Sequence, residues 1–292
     1  MSQNSPPQNL LQPLTIGNIV NVSLQLYRTN FKLYSQLALT AHLWLFVPIY
    51  GWAKFYGIAA LISRLAFCTL INQTETMKDA KNKTYSSIWN LFILGILVFI
   101  VSLVFACFWL ILFSLIFGII YAILSMVLGI NLPPLPKDSN IFENWVSAAI
   151  WLPIAIAVYL SPLWHYSRLF VTELTLVMED NSNPFKAIKQ SWQLTQGLRM
   201  RLIKIILISF SITLPIWIII WRGLGEIVRL ISYNFLRHVI SNYTIRVTLI
   251  TIILTIVTGV IIMPFWQSLK AVVYYDIRCR RESLDLQLRN SQ

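Results

Sequence analysis

The chain has 292 residues and a net charge of +12; 57% of its residues are hydrophobic and only 12% charged, with mean hydropathy +0.67. An ordinary soluble domain carries about 25% charged residues, so there is too little charge here to clothe a soluble surface of this size. The basic residues gather at the ends of apolar runs, which excludes nucleic acid as the natural partner and predicts an all-α, polytopic integral membrane bundle.

Residues 1–13 hold no Lys or Arg and no apolar core, so they read as a disordered tail rather than a signal peptide. A single membrane domain is expected over 14–289. It opens with an amphipathic helix over 15–34, N-capped by Thr15, with Asn18, Asn21, Gln25, Arg28 and Lys32 on one face. Such a helix either lies flat in the headgroup region or packs on the protein's own spans. Apolar segments follow at about 35–53, 55–71, 88–130, 145–178, 202–221 and 245–265. The run from Ser86 to Ile130 contains no charge at all, and roughly 18 uncharged apolar residues already make a membrane span. Stretches 72–86 and 179–204 are basic, 131–144 is Pro-rich, and 222–246 is amphipathic, with Arg222, Arg229, Arg237 and Arg246 along it. Residues 276–292 form a cytosolic tail.

One spacing recurs: a proline, an aromatic two residues on, a base six residues on. It occurs at Pro48, Tyr50, Lys54; at Pro162, Trp164, Arg168; and at Pro264, Trp266, Lys270, each at the end of an apolar run. Two origins fit, an internal repeat or three ordinary bilayer boundaries. At a boundary Trp and Tyr prefer the headgroup level, and Lys or Arg snorkels to water.

The basic loop 179–204 and the arginines after Tyr275 share a side across two spans, and the Lys and Arg counts place that side in the cytosol. The span 88–110 then runs outward, with 113–130 as an outer-leaflet or re-entrant helix. If 35–71 crosses once there are five crossings; if it forms a hairpin there are six.

The segment AIKQSWQLTQG, with Ser191, Trp192, Thr195 and Gly197, resembles a motif of the glycerophosphoryl diester phosphodiesterase membrane-domain family and its bacterial relatives. The terminal stretch around Tyr274, Tyr275 and Asp276 is similar to that family too, as is GNIVNVSLQLYRTNF (Gly17 to Phe31). The stretch VPIYGWAKFYGIAALISRLAF looks like cyanobacterial members in particular. In some relatives such a membrane region precedes a catalytic barrel of some 250 residues. This chain has no room for one, so the resemblance carries no catalytic residue onto it.

The residues themselves offer little chemistry. Cys68, Cys107 and Cys279 are scattered without CxxC spacing. Of the three histidines, His42, His165 and His238, only His165 has acidic residues downstream, Glu173, Glu179 and Asp180, without metal-ligand spacing. No cofactor is expected. Arg64, Arg168 and Glu173 are the ionisable groups nearest membrane depth. Lys54, Arg64, Arg168, Lys270, Arg278, Arg280 and Arg281 are the candidate contacts to lipid headgroups. The expected function is a non-catalytic membrane protein that binds lipids or an unidentified membrane-protein partner and supports envelope organisation. A transporter or channel-like protein is the alternative, with discontinuous helices at Pro48 and Pro215. An intramembrane lipid-modifying enzyme using Glu173 or His165 comes third.

Overall fold

Thr15 caps the first helix: its Oγ1 accepts the Asn18 N–H at 3.2 Å, and α1 (Ile16–Thr29) follows. The structure is a computed structural model, and it describes residues 13–73, 75–128, 162–179, 183–226, 228 and 242–290. The expectations for the terminal tail, for 131–144, for 145–161 and for most of 222–246, including Arg229, Arg237 and His238, fall outside these residues. The chain divides into two compact units, Met1–Gly95 with Phe170–Gln292, and Ile96–Leu169.

In the larger unit α1 turns at Asn30 into α2 (Phe31–Trp44). A turn at 45–49 leads to α3 (Tyr50–Leu70), and α4 (Met77–Ser86) begins at Thr76, whose Oγ1 accepts the Asp79 N–H at 3.2 Å. Then come α5 (Ile88–Leu128), which runs on into the smaller unit, α7 (Thr172–Met178), α8 (Pro184–Leu194), α9 (Arg199–Ile218) and α10 (Tyr243–Asn290). Residues 162–169 are helical as well; this described stretch, α6, belongs to the smaller unit. Every described element is helical.

The division of the first apolar region lies at 45–49, not near residue 54. Pro48 cannot donate a helical hydrogen bond and disfavours helical geometry in the residue before it. Ile49 then takes φ 59, a left-handed conformation that a β-branched residue adopts only at a steric cost. By contrast α5 runs unbroken through 110–113, where the composition had placed a change of helix; nothing in that stretch interrupts the ladder of bonds. Pro215 and Pro264 also lie inside continuous helices, although α9 relaxes into a π-helical turn, Ile219–Leu224, just after Pro215.

Four helices are long and apolar enough to cross a membrane: Tyr50–Leu70, Ile88–Ile116, Arg199–Leu224 and Tyr243–Arg281. They differ in what covers them. The first has 72% of its most apolar window buried inside the protein, against 11%, 28% and 11% for the others. Helix α3 achieves this with small residues; Ala53, Gly57, Ala59, Ala60 and Ser63 are buried, Gly57 against Ile88 and Tyr85, and the helix packs chiefly on α10 and α2. Residues 265–277 of α10 are similarly enclosed: Leu269, Ala271, Val272 and Tyr274 are fully buried. Helix α1 buries Ile19, Val20, Ser23 and Leu26, and packs chiefly on α10. Of its two expected placements, the protein-packed one describes that face.

Helix α5 is the opposite case. Phe99, Val104, Ile111, Leu115 and Ile119 are each 60% exposed or more.

Candidate functional site

Several charged side chains of the larger unit pair with other parts of the chain. Arg64, nearly two turns before the end of α3, donates through Nε and Nη2 to the two Glu75 oxygens, both at 2.8 Å, and through Nη1 to the Val177 carbonyl at 2.9 Å. Lys83 of α4 reaches the same carboxylate at 3.1 Å, and the Cys68 thiol donates to it at 3.3 Å. Four donors thus converge on one acid, which lies in the loop between α3 and α4.

The Arg64 hydrogen bonds lower the Glu75 pKa from 4.5 to about 2, with Lys83 and Cys68 assisting and burial opposing. Because the folded-state value lies below the unfolded one, the stability gained from ionised Glu75 is complete above about pH 4.5. It disappears as the pH falls through about 2. Acid titration of thermal stability in detergent checks this. Wild type is expected to lose stability over that window relative to Glu75→Gln, whose own curve lacks this component.

A second cluster ties both ends of the described chain together. Asp276 on α10 is 2% exposed. Its Oδ1 accepts the Leu14 N–H at 2.8 Å, and its Oδ2 accepts Arg201 Nε at 3.2 Å and Arg280 Nε at 3.0 Å. Arg280 Nη2 also donates to the Leu14 carbonyl at 2.9 Å, as does Arg201 Nη2. One backbone unit of the N-terminal segment is therefore held through both its N–H and its C=O.

Arg281 caps α8. Its Nη2 donates to the Gln193 and Gln196 carbonyls at 3.0 and 2.8 Å, satisfying oxygens that a helix end leaves unpaired. The turn below it needs Gly197, whose φ is +82. Thr195 closes the same turn by donating to the Ser191 carbonyl at 2.8 Å, and both residues are fully buried. Trp192 points outward, 38% exposed. Of the residues that carry the family resemblance, Ser191, Thr195 and Gly197 build the end of α8 and the turn after it, while Tyr274, Tyr275 and Asp276 lie on α10. Tyr274 donates to Glu179 at 2.7 Å and lies under the Arg278 guanidinium, 5.7 Å from the ring centroid. Tyr275 is buried.

The three proline–aromatic–base triplets occupy three different settings. Pro48 sits in the α2–α3 turn, and Tyr50 opens α3. Lys54 Nζ lies over the Tyr85, Tyr50 and Trp44 rings at 4.2, 5.4 and 6.0 Å, a cation–π cluster. Pro264 is inside α10; Trp266 packs edge-on against Phe170 at 6.4 Å, and Lys270 bonds Glu173 at 2.6 Å. Pro162, Trp164 and Arg168 lie on α6 in the smaller unit, Trp164 exposed and Arg168 buried. In that unit His165 stacks on Phe105 with ring centroids 3.4 Å apart and accepts the Trp109 indole N–H at 3.1 Å.

Spacing alone passed over Glu75 and Arg201, although each holds several partners in these clusters, and saw Glu179 only as an acid downstream of His165. The available signal for Glu75 was a lone acid ahead of a lysine-rich helix. Among the described residues, no three His, Cys, Asp or Glu side chains assemble as a metal site. In comparisons with known proteins the chain matches no family model, no curated protein and no solved structure.

Proposed function

We propose that this is a non-catalytic multipass membrane protein that binds lipids or a membrane-protein partner and supports the organisation of the membrane that holds it. One observation carries the reading. Arg64 pairs with Glu75, Arg201 with Asp276 and Lys270 with Glu173, while α5, α9 and the first half of α10 turn bulky apolar side chains outward. An outward surface of that kind is stable only against hydrocarbon or another apolar helix. The acids that could serve as catalysts are engaged as structural partners: Glu75 with Arg64, Glu173 with Lys270, Glu179 with Tyr274, Asp276 with Arg201 and Arg280. The topology we favour has five or six crossings in a bacterial plasma or thylakoid membrane, with the C-terminal end of α10 in the cytosol. The resemblance to the glycerophosphoryl diester phosphodiesterase membrane-domain family and a shared origin for the three triplets belong to the same proposal.

The test is extraction followed by native mass spectrometry. The protein is expected to stay in membranes through alkaline carbonate washing, to require detergent for release, and to carry bound lipid or a co-purifying membrane protein. Release into plain buffer as a folded monomer would defeat the proposal.

A transporter is the second reading, supported by the π-helical turn that follows Pro215 in α9. It requires a water-filled path, so cysteines placed along the inner faces of α9 and α10 should react with a membrane-impermeant thiol reagent. Uniform protection counts against it.

A further inference from the structure

We infer that helix α8 lies on an anionic lipid surface, its lysines against headgroup phosphates and its aromatic side chains in the apolar boundary below them. The inference rests on the membrane reading above and gives it a contact site. Helix α8 is fixed to the protein by its small side: Pro184, Ala187 and Ser191 are buried. The Thr175 hydroxyl donates to the Ala187 carbonyl at 3.1 Å, and Arg281 holds the C-terminal end. What α8 presents outward is therefore set by the fold. At about 100° per residue, Trp192, Phe185, Lys189, Gln193 and Lys186 follow one another across an arc of about 120° opposite the buried side. All five are exposed, Phe185 to 66%.

The order within that arc matters: the aromatics lie at one edge and the lysines at the other. Aromatic rings favour the level of the headgroups, and lysines near a membrane surface favour anionic lipid. Charge complementarity points the same way, because residues 183–204 contain five Lys or Arg and no Asp or Glu. Position agrees as well. Helix α8 ends at Leu194 and the apolar helix α9 begins at Arg199, so five Cα steps, about 18 Å at most, separate it from the start of a candidate span. Met200, 60% exposed, continues the apolar surface into α9. The cations that spacing alone favoured for this role, Lys54, Arg64, Lys270, Arg280 and Arg281, have partners within the protein. Lys186 and Lys189 face outward.

The experiment is hydrogen exchange of residues 184–194 in the full-length protein, in nanodiscs of phosphatidylcholine or of a phosphatidylcholine–phosphatidylglycerol mixture. Exchange is expected to slow about tenfold in the mixture, since docking suppresses local opening of a short helix. The effect should vanish in Lys186→Gln/Lys189→Gln and shrink in Phe185→Ala. Equal exchange in both lipids, or slowing that survives the double lysine substitution, overturns the inference while leaving the membrane reading intact. Failure of the protein to enter nanodiscs at all ends both.

Discussion

Replacing Asp276 by alanine is expected to destabilise the protein by about 3 kcal/mol and to free the segment that leads into α1. The estimate follows from what the carboxylate does. It is 2% exposed and accepts from the Leu14 backbone and from two arginines, so its removal leaves a buried N–H without an acceptor and two cations without a counter-charge. Breaking a buried pair from one side costs about 3–5 kcal/mol. The lower end applies because Arg201 and Arg280 keep 21% and 26% of their side-chain surface and are partly solvated. Asp276→Asn keeps an acceptor for Leu14 and should lose less. Thermal unfolding in detergent measures the first effect. Hydrogen exchange across residues 14–20 measures the second, and unchanged protection there would show that the N-terminal segment is held by other means.

Gly259→Ala should cost about 1–3 kcal/mol, the range for forcing an extra methyl group into a packed interior. A Cβ built at Gly259 would overlap the His42 ring, which is held by its Nδ1 contact to the Ala38 carbonyl at 2.7 Å and by an edge-on contact with Phe55 at 5.4 Å. The ring has little freedom to retreat, so α2 and α10 must separate. This makes a sharp test by double substitution. In a His42→Ala background the same glycine change should be nearly free, because the atoms it strikes are gone. Strictly additive losses would mean that the helices relax by another route.

Much of the fold could be read from residue order, and what could not has a common cause. Local chemistry was legible: the Thr15 cap, the charge-free run from Ser86, the break that Pro48 forces. Both α3 and α5 are apolar over a membrane length, α5 much the more so, but hydropathy alone does not say which of them is enclosed. The difference is in size, because the alanines and glycines of α3 admit neighbouring backbones while the Phe, Leu and Ile of α5 face outward. The clusters were harder still. Asp276 and Leu14 are 262 residues apart, and Lys270 and Glu173 are 97 apart, so no window along the chain contains both partners. The short stretches that carried the family resemblance gave no sign of these partners. Tyr274, Asp276 and Gly197 look like recognition chemistry in one dimension and form helix caps and ion pairs in three.

The length of α5 has a mechanical consequence. Its candidate span, Ile88–Ile116, has 29 residues and extends about 43 Å, whereas the hydrocarbon layer is about 30 Å thick. If that stretch crosses a bilayer, it fits only by inclining about 45°, just past the roughly 40° at which membrane helices stop, or by the layer thickening beside it.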